Sequence, residues 1–353
     1  MLKPSFLFFW ATYLLISCSS SDQIIETDVL VLGAGTGGTA AAIQSARQGA
    51  KTILVDPIIW PGGMLTSAGV SAIDGNHNLP AGIWGEFRER IRNHYGGSQA
   101  VETGWVSNTL FEPHIGANIL LEMMKAESNL THYLGYHWIN IKNENGYWWV
   151  EIQGDSSKSY VKTKIIIDGT DLGDVAAQCG GSFDIGMESS SYAGEDIAPS
   201  ASNDIIQDLT YVAILKDYGD QNSHLIPKSP EYDPYVFDCA CLDFCFNEEE
   251  TKTVHPCSTM MTYAKLPNEK YLINWPINGN DVYLDIINLN SEERIEALKK
   301  AKQKTLDFIY FIQNELGYKN LGLADDEYPT EDLLPFLPYH REGRRIHGLV
   351  RFN

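Results

Sequence analysis

Basic side chains are scarce in this sequence of 353 residues. Lysine and arginine together number 26 against 46 aspartates and glutamates, and the formal net charge at pH 7 is −20. No stretch concentrates enough positive charge to neutralise a run of phosphates, which argues against a nucleic-acid partner. Hydrophobic residues make up 44% of the chain and charged residues 20%, a balance typical of a globular protein rather than a disordered one.

The apolar stretch at the N-terminus is short. It runs from Phe6 to Ile16, which is the length of a signal peptide and too short to span a bilayer as a helix. It leads into Leu-Ile-Ser-Cys18, which resembles the lipobox of bacterial lipoproteins and implies lipidation of the Cys18 thiol. We expect a lipoprotein signal peptide over residues 1–18, a tether over 19–27 and an exported protein held at a bacterial membrane only through this lipid. A soluble secreted product is the alternative.

The cysteine spacing matches no familiar zinc site, in which two close pairs of ligands are expected. Four of the six cysteines lie close together, at Cys239, Cys241, Cys245 and Cys257. In an exported protein this cluster predicts disulfides, with free thiols and a metal site as the alternatives. Cys179 is predicted to be a small buried residue. The predicted site residues include no metal ligand.

A glycine-rich motif lies between two predicted strands. Gly33, Gly35 and Gly38 fit the pattern G-x-G-x-x-G. A buried strand, an alanine-rich helix and a second strand are predicted around it, over residues 28–32, 39–48 and 51–55. In this motif the first glycine allows a tight turn, the second lets the backbone approach a pyrophosphate, and the third permits close packing of helix on strand. The N-terminus of the helix attracts the phosphates.

Asp56 follows the second predicted strand, where a carboxylate can accept hydrogen bonds from a ribose hydroxyl. The sequence therefore predicts a dinucleotide site, with a glycine-rich turn that binds no ligand as the alternative.

The next part of the chain predicts two helices, over 82–96 and 111–128, and then alternating strands. Asn145-Gly146 indicates a hairpin turn within a β-meander over residues 131–167. An apolar strand then leads into Asp168-Gly169-Thr170-Asp171. This order is typical of the FAD-binding half of glutathione-reductase-like flavoproteins.

Residues 181–320 are richer in polar, aromatic and proline residues. Strands are predicted over 209–217 and 282–289. A long helix is predicted after Asn290, which forms a capping box with Glu293, and its apolar stripe begins at Ile295.

The chain resembles a family of bacterial FAD-dependent oxidoreductases, some of whose members are labelled xanthan-lyase-like. The matching stretches are "VLVLGAGTGGTAAAIQSARQG", "PGGMLTSAGV", "GIWGEF", "IIIDGTDLGDVAAQCGG", "INWPINGND" and "YHREGRRIHG". The resemblance implies an α/β fold in which a Rossmann-like FAD-binding domain with a small β-meander is interrupted by an α+β substrate domain. The implied boundaries are 28–180 for the FAD-binding domain, 181–335 for the substrate domain and 336–353 for an incomplete return to the FAD-binding domain. Relatives continue past the last motif, so we expect a chain truncated at its C-terminus.

The resemblance also implies site residues. The pyrophosphate would be held by Gly33, Gly35, Thr36, Gly37 and Gly38. Asp56 would bind the adenosine ribose, the backbone of Trp138 would meet the adenine, and Gly63 and Met64 would lie near the phosphates or the isoalloxazine. Asp168, Gly169 and Thr170 would close the site.

The implied function is hydride transfer from a small organic substrate to FAD, with carbohydrate derivatives among the candidates and an unidentified electron acceptor. His340 and Arg341 are the candidate catalytic residues, and Asn274 and Asp281 the candidate substrate contacts. A structural histidine and an interdomain salt-bridge cluster are the alternatives for the first two. A nicotinamide-dependent dehydrogenase and a non-catalytic surface lipoprotein are the competing functions; the Gly62-Gly63 loop and the meander argue against the former.

Overall fold

The computed structural model describes residues 23–75, 77–221, 223–247, 249, 251 and 254–350. The predicted signal peptide and Cys18 lie outside these residues, whereas the later part of the predicted tether over 19–27 forms a strand, because residues 23–26 pair with residues 159–162. The N-terminal half contains β1 (Gln23–Glu26), β2 (Val29–Leu32), α1 (Thr36–Arg47), β3 (Thr52–Asp56), α2 (Gly82–Tyr95), α3 (Pro113–Lys125), β4 (Leu130–Leu134), β5 (His137–Glu144), β6 (Tyr147–Gln153), β7 (Lys158–Thr163), β8 (Ile165–Asp168) and α4 (Asp174–Gln178). The other half contains β9 (Phe183–Asp184), α5 (Ser190–Ala193), β10 (Leu209–Thr210), β11 (Ala213–Asp217), α6 (Cys257–Thr262), β12 (Lys265–Leu266), β13 (Lys270–Ile273), β14 (Asp281–Val282), α7 (Ser291–Asn314), β15 (Leu321–Leu323), β16 (Tyr339–His340) and β17 (Arg345–Ile346).

A parallel sheet with the strand order β4-β3-β2-β8 lies at the centre of the N-terminal half. Its two middle strands are apolar and buried on both faces, as at Leu30 and Val31 of β2 and at Ile53 and Leu54 of β3. This pattern is typical of parallel strands that are covered on both sides. The helix α1 connects β2 to β3, which confirms the predicted strand, helix and second strand.

Two layers cover this sheet. On one face, Val31 and Leu54 share a core with the helices α1, α2 and α3. On the other face, Leu30 shares a core with Val150 and Val161 of an antiparallel sheet. Both helices predicted in this region are confirmed, and the layering is the predicted α/β fold class.

The antiparallel sheet has the strand order β1-β7-β6-β5, and β1 joins it as a parallel edge strand. The turn between β5 and β6 is Asn145-Gly146, with φ of 54° and 77°, as a two-residue hairpin turn requires. The predicted meander over 131–167 is too long, because its first and last strands, β4 and β8, belong to the parallel sheet. A short apolar strand looks the same in either sheet, so periodicity alone does not assign it.

Short sheets organise the second half, with the orders β12-β13-β11-β15, β14-β10-β16 and β9-β17. The predicted strand over 209–217 is broken, because β10 and β11 lie in different sheets. The predicted strand over 282–289 is wrong beyond Val282. The carbonyl oxygens of Ile286 and Ile287 accept hydrogen bonds from arginine side chains, at 2.6–2.9 Å, instead of strand partners.

The long helix α7 begins as predicted. The Asn290 side chain accepts hydrogen bonds from the N–H groups of Glu292 and Glu293, and the Glu293 side chain bonds back to Asn290. Phe308 and Ile312 are fully buried, whereas Ile295, predicted in the apolar stripe, is 63% exposed. The helix therefore packs against the core through its last three turns rather than through its first turn.

Two disulfides are present, Cys239–Cys245 and Cys241–Cys257. The predicted disulfides are thus confirmed, and the free-thiol and metal alternatives do not hold for these four residues. Cys179 is a free thiol but is half-buried rather than buried.

The C-terminal segment pairs with strands of the second half. β16 pairs with β10 and β17 with β9, while the N–H of Arg344 bonds to the carbonyl of Leu172 next to the parallel sheet. Across the described ranges, no helix has both the length and the apolarity that a membrane crossing demands.

Candidate functional site

A cavity of about 700 Å³ opens at the edge of the parallel sheet where β2, β3 and β8 end. This volume lies within the roughly 300–1,000 Å³ that ligand pockets occupy. Of the predicted site residues, the cavity is lined by Gly33, Gly35, Asp56, Gly63, Trp138, Gly169, Thr170 and His340. The unpredicted lining residues include Pro57, Trp60, Ser67, Asp171, Asp174, Arg294, Leu337 and Arg344.

Three glycines lock β2, α1 and β8 together at this edge. A Cβ on Gly33 would lie 2.5 Å from the carbonyl carbon of Gly169, and Gly33 has a φ of +98° that favours glycine. A Cβ on Gly38 would collide with the carbonyl oxygen of Gly33, and one on Gly169 would lie 2.6 Å from the Cα of Gly38. The close packing expected of Gly38 is therefore present, and it includes the turn at Gly169.

Gly35 and Gly37 differ in the space around them, and Gly35 is among the cavity-lining residues. A Cβ on Gly35 would lie 2.6 Å from the carbonyl oxygen of Gly169, so protein packing already requires this glycine. A Cβ on Gly37 would meet no atom within 4 Å. Gly37, in the first turn of α1, is exposed and is not among the cavity-lining residues. Gly35 precedes α1 as its N-cap and has no side chain that could bond the first N–H groups.

The Gly62-Gly63 loop is fastened to the glycine motif. The N–H of Gly62 bonds to the carbonyl of Ala34 at 2.8 Å, and the Thr36 hydroxyl donates to the carbonyl of Gly62 at 2.8 Å. A Cβ on Gly63 would lie 2.7 Å from the Cα of Gly35. The two loops thus form one rigid cradle. Met64 is 37% exposed and is not among the cavity-lining residues.

Asp56 is held at the cavity by backbone hydrogen bonds. Its carboxylate accepts from the N–H of Ala34 at 2.5 Å and from the N–H of Ile58 at 2.6 Å. Burial raises the pKa of Asp56 to about 6, although these hydrogen bonds lower it, and the nearby charge of Asp171 raises it further. Trp138 of β5 also lines the cavity.

The turn after β8 closes the cavity from the other side. The carboxylate of Asp168 is occupied within the turn, where it accepts hydrogen bonds from the N–H and hydroxyl of Thr170 and from the N–H of Ala176. The next acid, Asp171, lines the cavity, and burial raises its pKa to about 6. Asp168 therefore shapes the turn, while Asp171 is part of the cavity lining.

A cluster of charged residues lines the opposite wall. The Asp174 carboxylate pairs with Arg294 at 2.6 Å and with Arg344 at 2.6 Å. His340 lines this wall too. Burial lowers the pKa of His340 to about 4, and the charge of Arg294 adds to this effect while that of Asp174 opposes it. His340 is therefore neutral at pH 7.

The remaining predicted residues form a separate cluster. Arg341 pairs with Asp281 at 2.9 Å and lies 3.5 Å from the side-chain oxygen of Asn274. The Thr210 hydroxyl donates to the same Asp281 carboxylate. The structure brings these three predicted residues together, but none of them is among the cavity-lining residues.

Some lining residues had a usable signal in the sequence and others had none. Asp171 and Asp174 lie in the motif "DGTDLGD" next to predicted site residues, so the sequence could have predicted them as site residues too. Arg294 lies 120 residues from Asp174 in the chain, and its position in a helix with a capping box gave no indication of a ligand.

The comparisons with known proteins agree with this geometry. Residues 28–353 match the family described as FAD dependent oxidoreductase. A stretch of 51 residues, 14% of this chain, is 47% identical to the sarcosine oxidase subunit alpha of Corynebacterium sp. (strain P-1) and covers 5% of that protein.

Two solved structures show a weaker likeness. L-proline dehydrogenase from P. horikoshii is 13% identical, with a TM-score of 0.28 over 48% of this chain and 26% of that one. A flavoprotein/dehydrogenase from Cytophaga hutchinsonii is 14% identical, with a TM-score of 0.36 over 56% of this chain and 47% of that one. The chain thus spans less than half the length of each of these proteins.

The residues at the cavity fit FAD. They offer glycine backbone at Gly35, the N-cap of α1, and at Gly63, a carboxylate at Asp56 and a cavity of sufficient size. Because the family match covers nearly the whole described chain, this protein belongs to the FAD-dependent oxidoreductases, with FAD as its cofactor.

Proposed function

We propose that this chain oxidises a small organic substrate by transferring a hydride to FAD, and that carbohydrate-derived alcohols are its first candidates. The observation that supports this proposal is the shared cavity, in which the glycine cradle and His340 line one space. The sheet order and the meander on its rear face support a glutathione-reductase-like FAD domain. FAD, when bound, supplies the acceptor for two electrons and a proton equivalent.

Each part of the chain has a separate task in this proposal. The N-cap of α1 at Gly35 and the loop at Gly63 hold the pyrophosphate, since both glycines line the cavity without side chains. Asp56 accepts the ribose hydroxyls. The pair formed by Asp174 and Arg344 fixes the C-terminal segment beside the cavity, so that His340 stays in place.

His340 takes the proton that oxidation of an alcohol releases. As the C–H bond breaks and its electron pair leaves as hydride, the O–H bond also breaks and a C=O bond forms. The neutral imidazole of His340 provides the lone pair for that proton. With a pKa of about 4 it is a weak base, so it accepts the proton only as the carbon becomes electron-poor.

The test is anaerobic reduction of the FAD-loaded protein with a panel of sugars, sugar alcohols and hydroxy acids. We expect one class to bleach the flavin absorbance. With that substrate, His340→Gln should retain FAD but lower the rate of bleaching by about 10²–10⁴-fold. His347→Gln is the matched control, because His347 pairs with Asp184 at 2.9 Å on β9 and is not among the cavity-lining residues. Equal rates in the two variants would refute the role of His340, and failure of every substrate would refute the proposed class.

We also propose that the protein is exported and carries lipid on Cys18. The lipobox-like sequence supports this proposal. The Cys18→Ala protein should either keep its signal peptide or be released from membranes. A mature product of unchanged mass and membrane association would contradict the proposal.

A further inference from the structure

The outer face of the antiparallel sheet carries lysines interleaved with aromatic rings. We call it the lysine–aromatic face, defined by Lys142, Tyr147, Trp149, Lys158, Tyr160, Lys162 and Lys164. Trp149 of β6 stands between Lys142 of β5 and Lys162 of β7 in the strand register. The Lys162 ammonium lies 4.5 Å from the ring centre of Tyr147 and 5.6 Å from that of Trp149. These side chains therefore share one surface.

The opposite face of the same strands is the buried one. Val150, Ile152 and Val161 alternate with the residues of the lysine–aromatic face and share a core with the parallel sheet. Lys142, Lys158 and Lys164 are exposed. The lysine–aromatic face thus points away from the core, and its charged ends are accessible to a partner.

The charge of this face is unlike that of the chain. Its four lysines outnumber the glutamates on the same strand positions, Glu26, Glu144 and Glu151. Lys162 pairs with Glu26 and Lys158 with Glu151, which leaves Lys142 and Lys164 against the single Glu144, so the face has a small excess of positive charge. The chain as a whole has a net charge of −20. A negatively charged partner is therefore repelled less by the lysine–aromatic face than by the rest of the protein surface.

The position of β1 connects this face to the membrane. β1 is the edge strand of the sheet, and Ile24, which is 57% exposed, lies beside Tyr160. Five residue steps separate Gln23 from Cys18, a path of at most about 18 Å at roughly 3.6 Å per residue. If Cys18 is lipidated, the edge of this sheet lies within that distance of the headgroups.

We propose that the lysine–aromatic face lies against the bilayer, with its lysines at anionic phospholipid headgroups and its Tyr and Trp rings at the interface. This proposal rests on the anchor proposed for Cys18. Lysines near an anionic surface and Trp and Tyr at the headgroup level are the two side-chain classes that membrane interfaces favour. Docking holds the outer face of the antiparallel sheet flat on the membrane.

The experiment uses the protein as purified from the cells that export it, after mass spectrometry has determined its N-terminus. It is incorporated into vesicles of three parts phosphatidylcholine to one part phosphatidylglycerol, or kept in neutral detergent, and acetylated with a membrane-impermeant reagent. We expect acetylation of Lys142 and Lys164 to be slowed about fivefold in the vesicles, which corresponds to about 1 kcal/mol per lysine. Lys299 and Lys300, exposed on α7, are the internal control and should not change.

A second measurement reads the aromatic side chains. Brominated phosphatidylglycerol should quench tryptophan fluorescence, and Trp149→Phe should remove part of this quenching while Trp105→Phe, at a site 50% exposed elsewhere, should not. The double variant Lys142→Gln/Lys164→Gln should lose the Trp149 component, and the matched Lys299→Gln/Lys300→Gln should keep it.

The outcomes separate docking from anchoring. An unlipidated N-terminus refutes the anchor. In that case the protein is mixed with added vesicles, and docking is tested by whether Lys142 and Lys164 are still protected. Equal acetylation of all four lysines in vesicles and in detergent overturns the docking even if Cys18 carries lipid. Protection that is equally strong in pure phosphatidylcholine overturns the contact with anionic headgroups. Protection that is already present in detergent overturns the docking and indicates a second copy or a protein partner instead.

Discussion

The ammonium of Lys270 lies 2.7 Å from a carboxylate oxygen of Glu112, and both side chains are buried. Lys270 belongs to β13, whereas Glu112 is the N-cap of α3 beside the parallel sheet. Glu327 lies 2.9 Å from the same ammonium and 3.0 Å from the ring of His114. This buried cluster joins the two halves of the chain.

The same cluster resembles a metal site. The ligand atoms of Glu112, His114 and Glu327 lie within 4.8 Å of one another, as around a divalent ion. The ammonium of Lys270 contacts both carboxylates, so the lysine supplies the cation that they require. Although burial opposes ionisation, the bonds from Lys270 keep the pKa of Glu112 below its ordinary value.

Lys270→Met should therefore destabilise the protein by about 3–5 kcal/mol, because it leaves the buried carboxylate of Glu112 without a cation and that of Glu327 with His114 alone. Urea unfolding measures this change. The loss should shrink as the pH falls, because protonation removes the uncompensated charge. Lys265→Met is the matched control in the neighbouring strand; its partner Glu269 is mostly exposed, and such pairs contribute about 0–1 kcal/mol. Equal losses in the two variants would contradict the role of the cluster.

The glycines of the motif should separate folding from cofactor binding. Gly38→Ala should lower the free energy of unfolding by about 1–3 kcal/mol, because the new Cβ collides with the carbonyl oxygen of Gly33. Gly37→Ala adds a Cβ in open space, so it should keep or slightly raise stability. It should nevertheless weaken FAD binding about tenfold if the pyrophosphate lies there. Thermal unfolding without FAD and titration with FAD measure the two effects. A Gly37→Ala protein with unchanged FAD affinity would show that the phosphates lie elsewhere.

The parts of this molecule that the sequence predicted are local in the chain. The strand, helix and strand around Gly33 lie within about thirty residues, and each carries its own signal in apolar periodicity, glycine spacing and a terminal acid. The hairpin at Asn145-Gly146 and the cap at Asn290 are equally local. Such features can be predicted without knowing which distant element packs on them.

The parts that it did not predict depend on distant partners. Asp174 meets Arg344 across 170 residues of chain, and Lys270 meets Glu112 across the two halves. The stretch after Val282 has strand-like composition, but guanidinium groups take the carbonyls of Ile286 and Ile287 that a ladder would use. In this stretch tertiary hydrogen bonds outweigh the strand propensity of the sequence.

The disulfide that closes the longer loop should stabilise the protein more. Cys241 and Cys257 close a loop of 16 residues within the second core, and both are buried. Cys241→Ser/Cys257→Ser should lower the free energy of unfolding by about 3 kcal/mol through the added freedom of the unfolded chain. Cys239→Ser/Cys245→Ser opens a loop of only 6 residues and should have the smaller effect. Chemical unfolding of both double variants tests the order, and the reverse order would contradict it.

The two acids at the cavity should give FAD binding and stability opposite pH dependences. Burial raises the pKa of both Asp56 and Asp171 to about 6, above the ordinary aspartate value. In the FAD-free protein the neutral carboxyl is therefore favoured by folding, so stability should rise as the pH falls from about 8 to about 5. The ribose hydroxyls donate to an ionised Asp56, so FAD affinity should fall over the same interval.

Asp56→Asn and Asp171→Asn test both trends in one series. Asp171→Asn should raise the melting temperature of the FAD-free protein at about pH 8, because the neutral amide has no ionisation to suppress. Asp56→Asn loses one of the two oxygens that accept the N–H groups of Ala34 and Ile58, so it should flatten the rise toward about pH 5 without raising the melting temperature. Asp56→Asn should in addition weaken FAD binding at about pH 8 by roughly ten- to a hundred-fold, the loss of a charge-assisted hydrogen bond of about 1.5–3 kcal/mol, and leave the affinity nearly independent of pH. Asp155→Asn, in the exposed turn between β6 and β7, is the control and should change neither trend. If Asp56→Asn keeps the affinity and pH dependence of the parent, the ribose is bound by another residue.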